Sequence, residues 1–504
     1  MNSLPDTVHA LVEAQARQRP DAVYAIDAQS ARQLTFSELA QASRRVNAML
    51  RSHGLQPGDT VSLVMPNGLM TLQLLLGAMH GGWCVNPVNL LSQPAQMRYV
   101  LDHSDCKLVF VSPEWEPAVR ALLADIGRTI TLVTLAPDAS TWPAPAGDAD
   151  DVAPTPPPTA DTLALLMYTS GTTGVPKGVM LSQSHLAANA LAISAEHELG
   201  PADRVLAVLP LYHINAFVVT MLAPLAHGGS LVMPAKFSAA RFWTQATDHA
   251  CTWLNVVPTM ISYLLEGAAP ALAQTASLRF CRSASAALPP AHLQAFEQKF
   301  GIGIIETMGL TETAAPAFSN PLDAAQRKPG AVGRASGCEA RVIDATLVPV
   351  NESETGEIVI RGPNVMRAYY KNEAATRDAF TPDGWLRTGD LGHRDRDGFF
   401  FVTGRIKELI IKGGENIAPR EIDEAVLRHP AVLEAAAVGI ADRHYGQDIL
   451  LCVVLRPGHT LDEAALRDFC RAQLGRYKSP KLIRFLTELP RGPSGKVQRL
   501  KLLD

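Results

Sequence analysis

Hydrophobic patterns of helical and strand type alternate along the first part of the chain, and this alternation limits the folds it can adopt. Residues 35–38, Thr-Phe-Ser-Glu, have the pattern of a helical capping box, and the apolar positions that follow recur every three or four residues. The turn Pro57–Asp59 leads into the apolar run Val61–Met65, typical of a buried strand, and a second helical pattern ends at Gly81. Because parallel strands need a crossover connection, usually a helix, this order predicts an α/β fold with a largely parallel sheet.

Changes in composition divide the chain into segments. Residues 141–162 are rich in Pro, Ala, Asp and Thr, which is typical of an extended connector. The alternating order resumes after the connector, and from about residue 331 the pattern changes to short strands and turns. The remainder of the chain has the pattern of a compact α+β unit. We therefore predict an N-terminal domain over residues 1–405 and a smaller C-terminal domain over residues 406–504.

Composition and charge exclude several classes of protein. The formal net charge is −4 with both signs interspersed, so we expect no basic surface for nucleic acid. Seven cysteines are scattered without a C-x-x-C pair, which argues against a disulfide framework or a zinc site. The start lacks the pattern of a signal peptide, and the most apolar stretch, Ala216–Ala226, is too short to cross a bilayer. We expect a cytoplasmic protein, monomeric or homodimeric, that binds neither nucleic acid nor membrane.

Residues 168–178, Tyr-Thr-Ser-Gly-Thr-Thr-Gly-Val-Pro-Lys-Gly, concentrate hydroxyl groups, glycines and a lysine behind an apolar strand. Glycines let the backbone approach a phosphate, while hydroxyl groups and a cation supply donors and charge. The segment is not a Walker A loop, and Gly178–Leu181 continues as a strand, so it predicts a hairpin whose tip binds phosphate. The alternative is a polar surface hairpin. The candidate phosphate-binding residues are Thr169, Ser170, Gly171, Thr172, Thr173 and Lys177.

This segment resembles the phosphate loop of the adenylate-forming superfamily, which includes acyl-CoA synthetases, luciferases and the adenylation domains of peptide synthetases. Further motifs of that superfamily follow in its order, and the resemblance spans essentially the whole chain; they are Leu209–His213, Met308–Glu312, Arg387–Asp390, Gly404–Glu408 and Pro490–Lys496. The resemblance implies a large N-terminal domain of αβα layers with a small β-barrel-like subdomain, and a mobile α+β C-terminal domain. It also implies an AMP-forming acid:CoA ligase that uses ATP, Mg²⁺ and coenzyme A.

The resemblance assigns roles to the motif residues. Glu312 would hold Mg²⁺ and Thr311 would contact phosphate. Lys496 would reach between the substrate carboxylate and the α-phosphate, where two anions meet in the transition state. Asp390 would accept both ribose hydroxyls, and Arg405 would add a contact to ribose or phosphate. Taken singly, each of these residues would more often be a surface acid, a turn residue or a solvated lysine.

Other positions concern adenine, the hinge and coenzyme A. Met308, followed by Gly309, stands where the family usually has a tyrosine that stacks on adenine, and a thioether can still cover a ring face. Lys407 matches the position about which the small domain rotates, although it is also a plausible strand-edge lysine. The glycine-rich segment that begins at Lys412 and includes Gly413 and Gly414 resembles part of the coenzyme A tunnel.

The candidate acyl pocket combines the end of the Leu-Pro-Leu-Tyr-His motif with a strand-end segment. Its predicted residues are His213, Asn215, Arg282, Ser283 and Ser285. Serines stand where the family usually has Gly or Ala, and polar groups would be left without partners by a long alkyl chain. We therefore expect a short, polar acid, with Arg282 near a second negative charge. Two alternatives are a hydrogen-bonded core role for His213 and an outward orientation of Arg282.

Two segments resemble the oxalate-CoA ligase branch, namely Leu278–Ser285 and Ser319–Leu322. That branch has a histidine after the Thr-Glu motif, whereas residues 313–316 of this chain are Thr-Ala-Ala-Pro. This departure disfavours oxalate itself and favours a related small acid such as sulfoacetate or malonate. Two alternatives to a small-acid CoA ligase stay open, namely a stand-alone enzyme that loads a carrier protein and a short- or medium-chain fatty acid–CoA ligase. The joint presence of Lys496, Glu312 and Asp390 disfavours a catalytically inactive nucleotide-binding regulator.

Overall fold

The fold was analysed in a computed structural model, which describes residues 4–142, 156–169, 175–492 and 497–504. Its strands, in chain order, are β1 (Val23–Asp27), β2 (Gln33–Thr35), β3 (Thr60–Val64), β4 (Cys84–Pro87), β5 (Leu108–Val111), β6 (Thr131–Thr134), β7 (Leu163–Thr169), β8 (Lys177–Ser182), β9 (Arg204–Leu206), β10 (Ser230–Met233), β11 (Trp253–Val256), β12 (Phe280–Ser283), β13 (Ile304–Leu310), β14 (Ala315–Ser319), β15 (Arg334–Ala335), β16 (Glu339–Ile343), β17 (Gly356–Arg361), β18 (Ala368–Tyr369), β19 (Leu386–Arg394), β20 (Phe400–Arg405), β21 (Ile410–Lys412), β22 (Glu415–Ile417), β23 (Val432–Asp442), β24 (Gly446–Leu455) and β25 (Leu482–Phe485).

Besides short 3₁₀ helices, α-helices and one π-helix connect these strands. They are α1 (Val8–Gln18), α2 (Phe36–Ser52), α3 (Leu69–His80), α4 (Pro94–His103), α5 (Glu116–Ala124), α6 (Gln183–Glu196), the π-helix Asn215–Leu222, α7 (Ala223–His227), α8 (Ala239–Asp248), α9 (Pro258–Glu266), α10 (Leu272–Thr275), α11 (Pro290–Phe300), α12 (Glu373–Asp378), α13 (Pro419–Val426) and α14 (Glu463–Lys478). Among the residues that the structure describes, no helix has the length and apolar character needed to cross a membrane.

Two largely parallel sheets form the N-terminal domain. The nine-stranded sheet has the order β15-β14-β13-β12-β11-β9-β10-β1-β2, and the seven-stranded sheet has the order β18-β8-β7-β4-β3-β5-β6. Helices α3 and α6 each contact strands of both sheets, so they lie between them. Helices α4 and α5 cover the seven-stranded sheet with a separate apolar cluster. The predicted α/β class and αβα layering are confirmed, with two sheets sharing one helical layer.

The first helix-strand unit follows the sequence pattern closely. The Thr35 hydroxyl accepts from the Glu38 backbone N–H, and the Glu38 carboxylate accepts from the Thr35 backbone N–H, which closes the predicted capping box of α2. Strand β3 begins one residue before the predicted run and ends one residue before its end. Local capping and a continuous apolar run define these elements without help from the rest of the fold.

The small subdomain departs from the expected barrel. Its sheet has the order β16-β17-β19-β20, and among the described residues its first and last strands do not pair, so it is an open antiparallel sheet. One of its apolar faces packs on residues of β14, including Phe318, rather than closing on itself. The β-barrel-like prediction is therefore wrong, because closure depends on strand tilt and register, which a pattern of short strands does not encode.

The C-terminal segment has a core of its own. Strands β22, β21, β24 and β23 form a sheet in this order, β25 pairs with β24, and α13 and α14 pack on one another. A cluster of buried residues from Ile410 to Ile483 forms its interior. Contacts to the N-terminal domain include an ion pair between Arg456 Nη1 and Glu266 Oε1 at 2.6 Å. The boundary between residues 405 and 406 stays a prediction.

Candidate active site

The predicted phosphate-binding hairpin is formed by β7 and β8. The two strands pair antiparallel up to Thr169, which lies opposite Lys177 at the open end, and this confirms the predicted hairpin. Four of the predicted phosphate-binding residues, Ser170, Gly171, Thr172 and Thr173, lie outside the described residues. Thr169 and Lys177 are the last paired residues at the open end of the two strands.

Tyr369 joins the hairpin to the Thr-Glu motif. The Lys177 ammonium lies 4.3 Å from the centroid of the Tyr369 ring, and the Tyr369 hydroxyl donates to Glu312 Oε1 over 2.7 Å. Burial, followed by the nearby Glu312 carboxylate, raises the pKa of Tyr369 well above its ordinary value, so the phenol stays protonated and donates. The hairpin lysine and the predicted Mg²⁺ carboxylate are thus held by one aromatic residue that the motif analysis missed.

The turn that carries Thr311 and Glu312 is tightly constrained. It is a short 3₁₀ helix, Thr311–Thr313, at the end of β13, and the Asn189 side chain donates to the carbonyl oxygens of Thr313 and Ala314, each over 2.8 Å. A Cβ atom at Gly309 would lie 1.9 Å from the Ala315 carbonyl oxygen, so glycine is required there.

Met308 precedes this constrained turn in β13. It is half-buried and packs on the apolar core of the small subdomain, opposite Phe318 of β14. Its proposed contact with adenine stays a prediction.

Asp390 and Arg405 form an ion pair between neighbouring strands. Arg405 Nε donates to Asp390 Oδ1 over 2.6 Å, and the two residues are register partners in β19 and β20. Burial opposes the charge on Arg405, but the carboxylates of Asp390, Glu408 and Glu312 outweigh it and raise its pKa. The carboxylate of Asp390 is therefore oriented by a permanent cation that also lies within electrostatic range of Glu312.

The loop before Asp390 is held by Glu357, which the motif analysis also missed. Glu357 Oε2 accepts from Arg387 Nη2 at 2.8 Å, and Glu357 Oε1 accepts from the Gly389 backbone N–H at 3.1 Å. Gly389 has a φ of +70°, a conformation that favours glycine. The register of β17 against β19 shifts at this point, which lifts the Arg-Thr-Gly-Asp segment out of regular pairing.

Three of the predicted acyl-pocket residues, Asn215, Ser285 and Arg282, lie close together. Asn215 begins the π-helix and donates through Nδ2 to Ser285 Oγ over 3.3 Å, while its Oδ1 accepts from Asn255 Nδ2 at 3.3 Å. Arg282 is fully buried and donates to Asn255 Oδ1. The outward orientation considered for Arg282 is therefore wrong in this structure. Ser283 follows Arg282 in β12, so its side chain points to the opposite face of the sheet, and it does not line the same surface.

The backbone of the segment before Asn215 is held by the side chain of Asn67, which is distant in sequence. Asn67 donates through Nδ2 to the Leu209 carbonyl oxygen at 3.0 Å and accepts from the Leu211 backbone N–H at 2.9 Å. The His213 ring is half-buried and meets the Tyr212 ring edge-on at 4.7 Å between centroids. Both residues lead into the π-helix, a form often found at functional sites.

The predicted hinge and coenzyme A residues lie in the C-terminal segment. Lys407 is exposed, in a 3₁₀ helix immediately after β20. The Lys412 ammonium is buried and lies 2.6 Å from Asp448 Oδ1, so it is engaged within this segment. Gly413 and Gly414 have φ values of +56° and +87° and form the exposed two-residue turn between β21 and β22. Lys496 lies outside the described residues.

The described residues contain no cluster of three or more His, Cys, Asp or Glu side chains able to hold a metal ion. Mg²⁺ in nucleotide-dependent enzymes is commonly held by one or two carboxylates together with substrate phosphates and water. Glu312, held beside Lys177 through Tyr369, fits such a single protein ligand.

Comparison with known proteins identifies the family. Residues 12–370 match the model of the AMP-binding enzyme family, and residues 421–496 match that of the AMP-binding enzyme C-terminal domain. The chain is 59% identical to a sulfoacetate–CoA ligase of Cupriavidus necator, over 99% of this chain and 98% of the relative. It is 34% identical to an oxalate–CoA ligase of Arabidopsis thaliana, over 98% and 97% of the two chains.

Solved structures agree with these matches. ATP-bound MatB from Rhodopseudomonas palustris superposes with a TM-score of 0.90 at 32% identity, covering 98% of both chains. An o-succinylbenzoate coenzyme A synthetase from Bacillus subtilis, in complex with ATP and a magnesium ion, gives a TM-score of 0.84 at 27% identity, over 98% of this chain and 99% of that chain. The chain therefore belongs to the AMP-binding enzyme family and is an AMP-forming acyl-CoA synthetase.

Proposed function

We propose that this acyl-CoA synthetase activates a small acid that carries a second anionic group, with sulfoacetate as the first candidate. The observation that carries the proposal is the polar lining of the acyl region, where Asn215 and Ser285 are linked to the buried Arg282. An alkyl chain at this lining would offer no acceptor to the Ser285 hydroxyl, and an unsatisfied buried donor costs about 1–3 kcal/mol. The relative with 59% identity, named for sulfoacetate, supports the same class of acid.

The first half-reaction joins two anions. An oxygen of the substrate carboxylate attacks the α-phosphorus of ATP, and the bond to pyrophosphate breaks, which gives acyl-AMP. In our proposal Lys496 balances the charge that develops between carboxylate and α-phosphate, while Lys177 and the hairpin bind the outer phosphates. Glu312 would hold Mg²⁺, which neutralises phosphate charge, and Asp390 would fix the ribose.

The second half-reaction transfers the acyl group. The sulfur of coenzyme A attacks the acyl carbonyl, the bond to AMP breaks, and the thiol proton is released. We propose that the C-terminal domain rotates near Lys407 between the two steps, which withdraws Lys496 and brings the turn of Gly413 and Gly414 to the cleft. Both glycines have positive φ values, and a Cβ atom at Gly414 would meet no atom within 4 Å, so the backbone of this turn can approach a pantetheine chain closely.

The test of the proposed function is the release of pyrophosphate with Mg·ATP across a panel of acids, with and without coenzyme A. The panel contains sulfoacetate, malonate, oxalate, acetate, benzoate and fatty acids. We expect coenzyme A-dependent turnover with small acids that carry two anionic groups, and sulfoacetate should give the highest kcat/KM. A preference for fatty or aromatic acids would overturn the proposed substrate class.

Loading of a carrier protein is the second candidate function. It shares the first half-reaction and differs in the acceptor thiol. Pyrophosphate release that stops after one turnover with coenzyme A, and continues with a phosphopantetheinylated carrier, would favour it over the ligase.

Tyr369→Phe should weaken the use of Mg·ATP. The variant loses the hydrogen bond to Glu312 but keeps the ring beneath the Lys177 ammonium, so we expect KM for Mg·ATP to rise about 10-fold, as for one hydrogen bond to a charged group. Tyr369→Leu removes the aromatic face as well and should have a larger effect. Initial rates at varied Mg·ATP measure both.

The neighbouring tyrosine provides a matched control. The Tyr370 hydroxyl donates to Asp105 Oδ2 over 2.6 Å, away from Glu312, so Tyr370→Phe should leave KM for Mg·ATP within about twofold. Equal effects of the two Tyr→Phe changes would show that Tyr369 does not act through Glu312.

A further inference from the structure

Arg282 brings a positive charge into the interior of the nine-stranded sheet. Its side chain is 0% exposed, and among the described residues it forms hydrogen bonds to Asn255 Oδ1 at 3.3 Å and Thr307 Oγ1 at 3.0 Å, but no ion pair. Burial lowers its pKa to about 9, while the Cys281 thiol and the Glu196 carboxylate act in the opposite direction, so Arg282 is a cation at neutral pH. A buried cation without an ion-pair partner is costly to stability, which points to a functional reason for keeping it.

A guanidinium group has donors and no acceptor, and this fixes the direction of the hydrogen bonds beyond it. Since Asn255 presents its oxygen to Arg282, its NH₂ group donates to Asn215 Oδ1 over 3.3 Å. Asn215 then presents its own NH₂ group to Ser285 Oγ, also at 3.3 Å. Neither amide can reverse without placing a donor against a donor, so Arg282 determines the orientation of both the Asn255 and the Asn215 side-chain amides.

Ser285 is the outer end of this chain of hydrogen bonds. Its Oγ accepts from Asn215, so the hydroxyl hydrogen is directed to a different acceptor. Ser285 is half-buried, next to the exposed Ala286, and lies just beyond the carboxyl end of β12, where ligands bind in parallel α/β sheets. Its φ of +75° is unusual for a serine, and such conformations concentrate at ligand-binding sites.

We propose that Arg282, Asn255 and Asn215 form a polarised hydrogen-bond relay that presents Ser285 as a donor to the distal anionic group of the substrate. Arg282 is then a positioning residue that selects anionic acids without touching them, and Ser285 is the residue in contact. The relay rests on the proposed function, because it explains how the same acyl region distinguishes a second anion from a neutral group of equal size.

The experiment compares two pairs of acids that differ in distal charge but not in size. Sulfoacetate is paired with methylsulfonylacetate, and malonate with its half-amide, and the ratio of kcat/KM within each pair measures discrimination. Ser285→Ala should lower both ratios by roughly 10- to 100-fold, as for loss of a hydrogen bond to a charged group, mainly through KM of the anionic acid. Asn255→Asp, which pairs with Arg282 but cannot donate to Asn215, should have the same effect.

Ser283→Ala is the matched control, because it makes the same chemical change on the opposite face of β12 and should leave both ratios within about twofold. KM for ATP should stay unchanged in Asn255→Asp, which separates loss of the relay from a folding defect. Retained discrimination in Ser285→Ala and Asn255→Asp would overturn the relay and leave the proposed substrate class in place. A wild-type preference for the neutral member of each pair would overturn both the relay and the proposed substrate class.

Discussion

Replacing Lys496 by alanine should strongly slow adenylate formation while sparing thioester formation from supplied acyl-adenylate. The carboxylate and the α-phosphate repel one another, and a lysine between them offsets charge that exists only as they approach, so its loss should lower the rate by about 10³-fold. Transfer of the acyl group to coenzyme A forms no bond to phosphorus and does not need this cation. Lys496 lies outside the described residues, and its role stays a prediction from the Pro490–Lys496 motif.

Single-turnover measurements with ATP and acid, and separately with synthetic acyl-adenylate and coenzyme A, resolve the two half-reactions. Lys501→Ala removes another lysine near the end of the chain, which is exposed, and should leave both rates within about twofold. Equal losses in the two half-reactions of Lys496→Ala would contradict the assigned role and indicate a general effect on the C-terminal domain.

The sequence predicted the features that depend on local rules. The capping box at Thr35 and the hairpin that ends at Thr169 and Lys177 are both confirmed, because capping and antiparallel return need only neighbouring residues. The open small sheet was missed for the converse reason, since closure of a barrel depends on register among distant strands.

Residues that support the site from distant elements were not accessible to motif analysis. Tyr369 meets Glu312 because the two-residue strand β18 pairs with β8, and nothing in so short a strand indicates its partner. Asn189 and Glu357 likewise act on turns far from them in sequence. In the sequence neither residue differs from other polar residues. Their roles depend on the tertiary structure, which places each beside a backbone carbonyl or amide group that has no regular secondary-structure partner.

The acyl segment illustrates a correctable error. Ser283 and Ser285 were assigned to one pocket because both stand where the resembled family usually has Gly or Ala, yet strand alternation in β12 places the Ser283 side chain on the face opposite Arg282. Ser285 lies beyond the end of β12 with a positive φ, and hydrogen bonds through Asn215 and Asn255 connect it to Arg282. The alternation of side chains along a strand would have predicted that Arg282 and Ser283 face opposite sides of the sheet. The hydrogen bonds from Arg282 through Asn255, in contrast, can be recognised only in the tertiary structure.

Asp390→Asn should lower kcat/KM for ATP by about 100-fold. The change replaces one acceptor oxygen by an NH₂ group in front of Arg405, a group that only donates, and leaves the guanidinium without the carboxylate that now accepts from Nε at 2.6 Å. Loss of a hydrogen bond to a charged group and of an oriented ribose acceptor together account for a change of this size. Because the Arg405 side chain is 39% exposed, we expect a smaller effect on thermal stability than on activity.

The ribose contact can be separated from this structural role with 2′-deoxy-ATP. If Asp390 accepts the ribose hydroxyls, the wild-type preference for ATP over 2′-deoxy-ATP should largely disappear in Asp390→Asn, since the two changes remove the same interaction. Asp395→Asn breaks a carboxylate–lysine pair with Lys328 in the same subdomain and should keep the preference intact. If Asp390→Asn keeps the preference for ATP over 2′-deoxy-ATP, Asp390 serves only to orient Arg405. The contact with the ribose would then be made by the Arg405 guanidinium group.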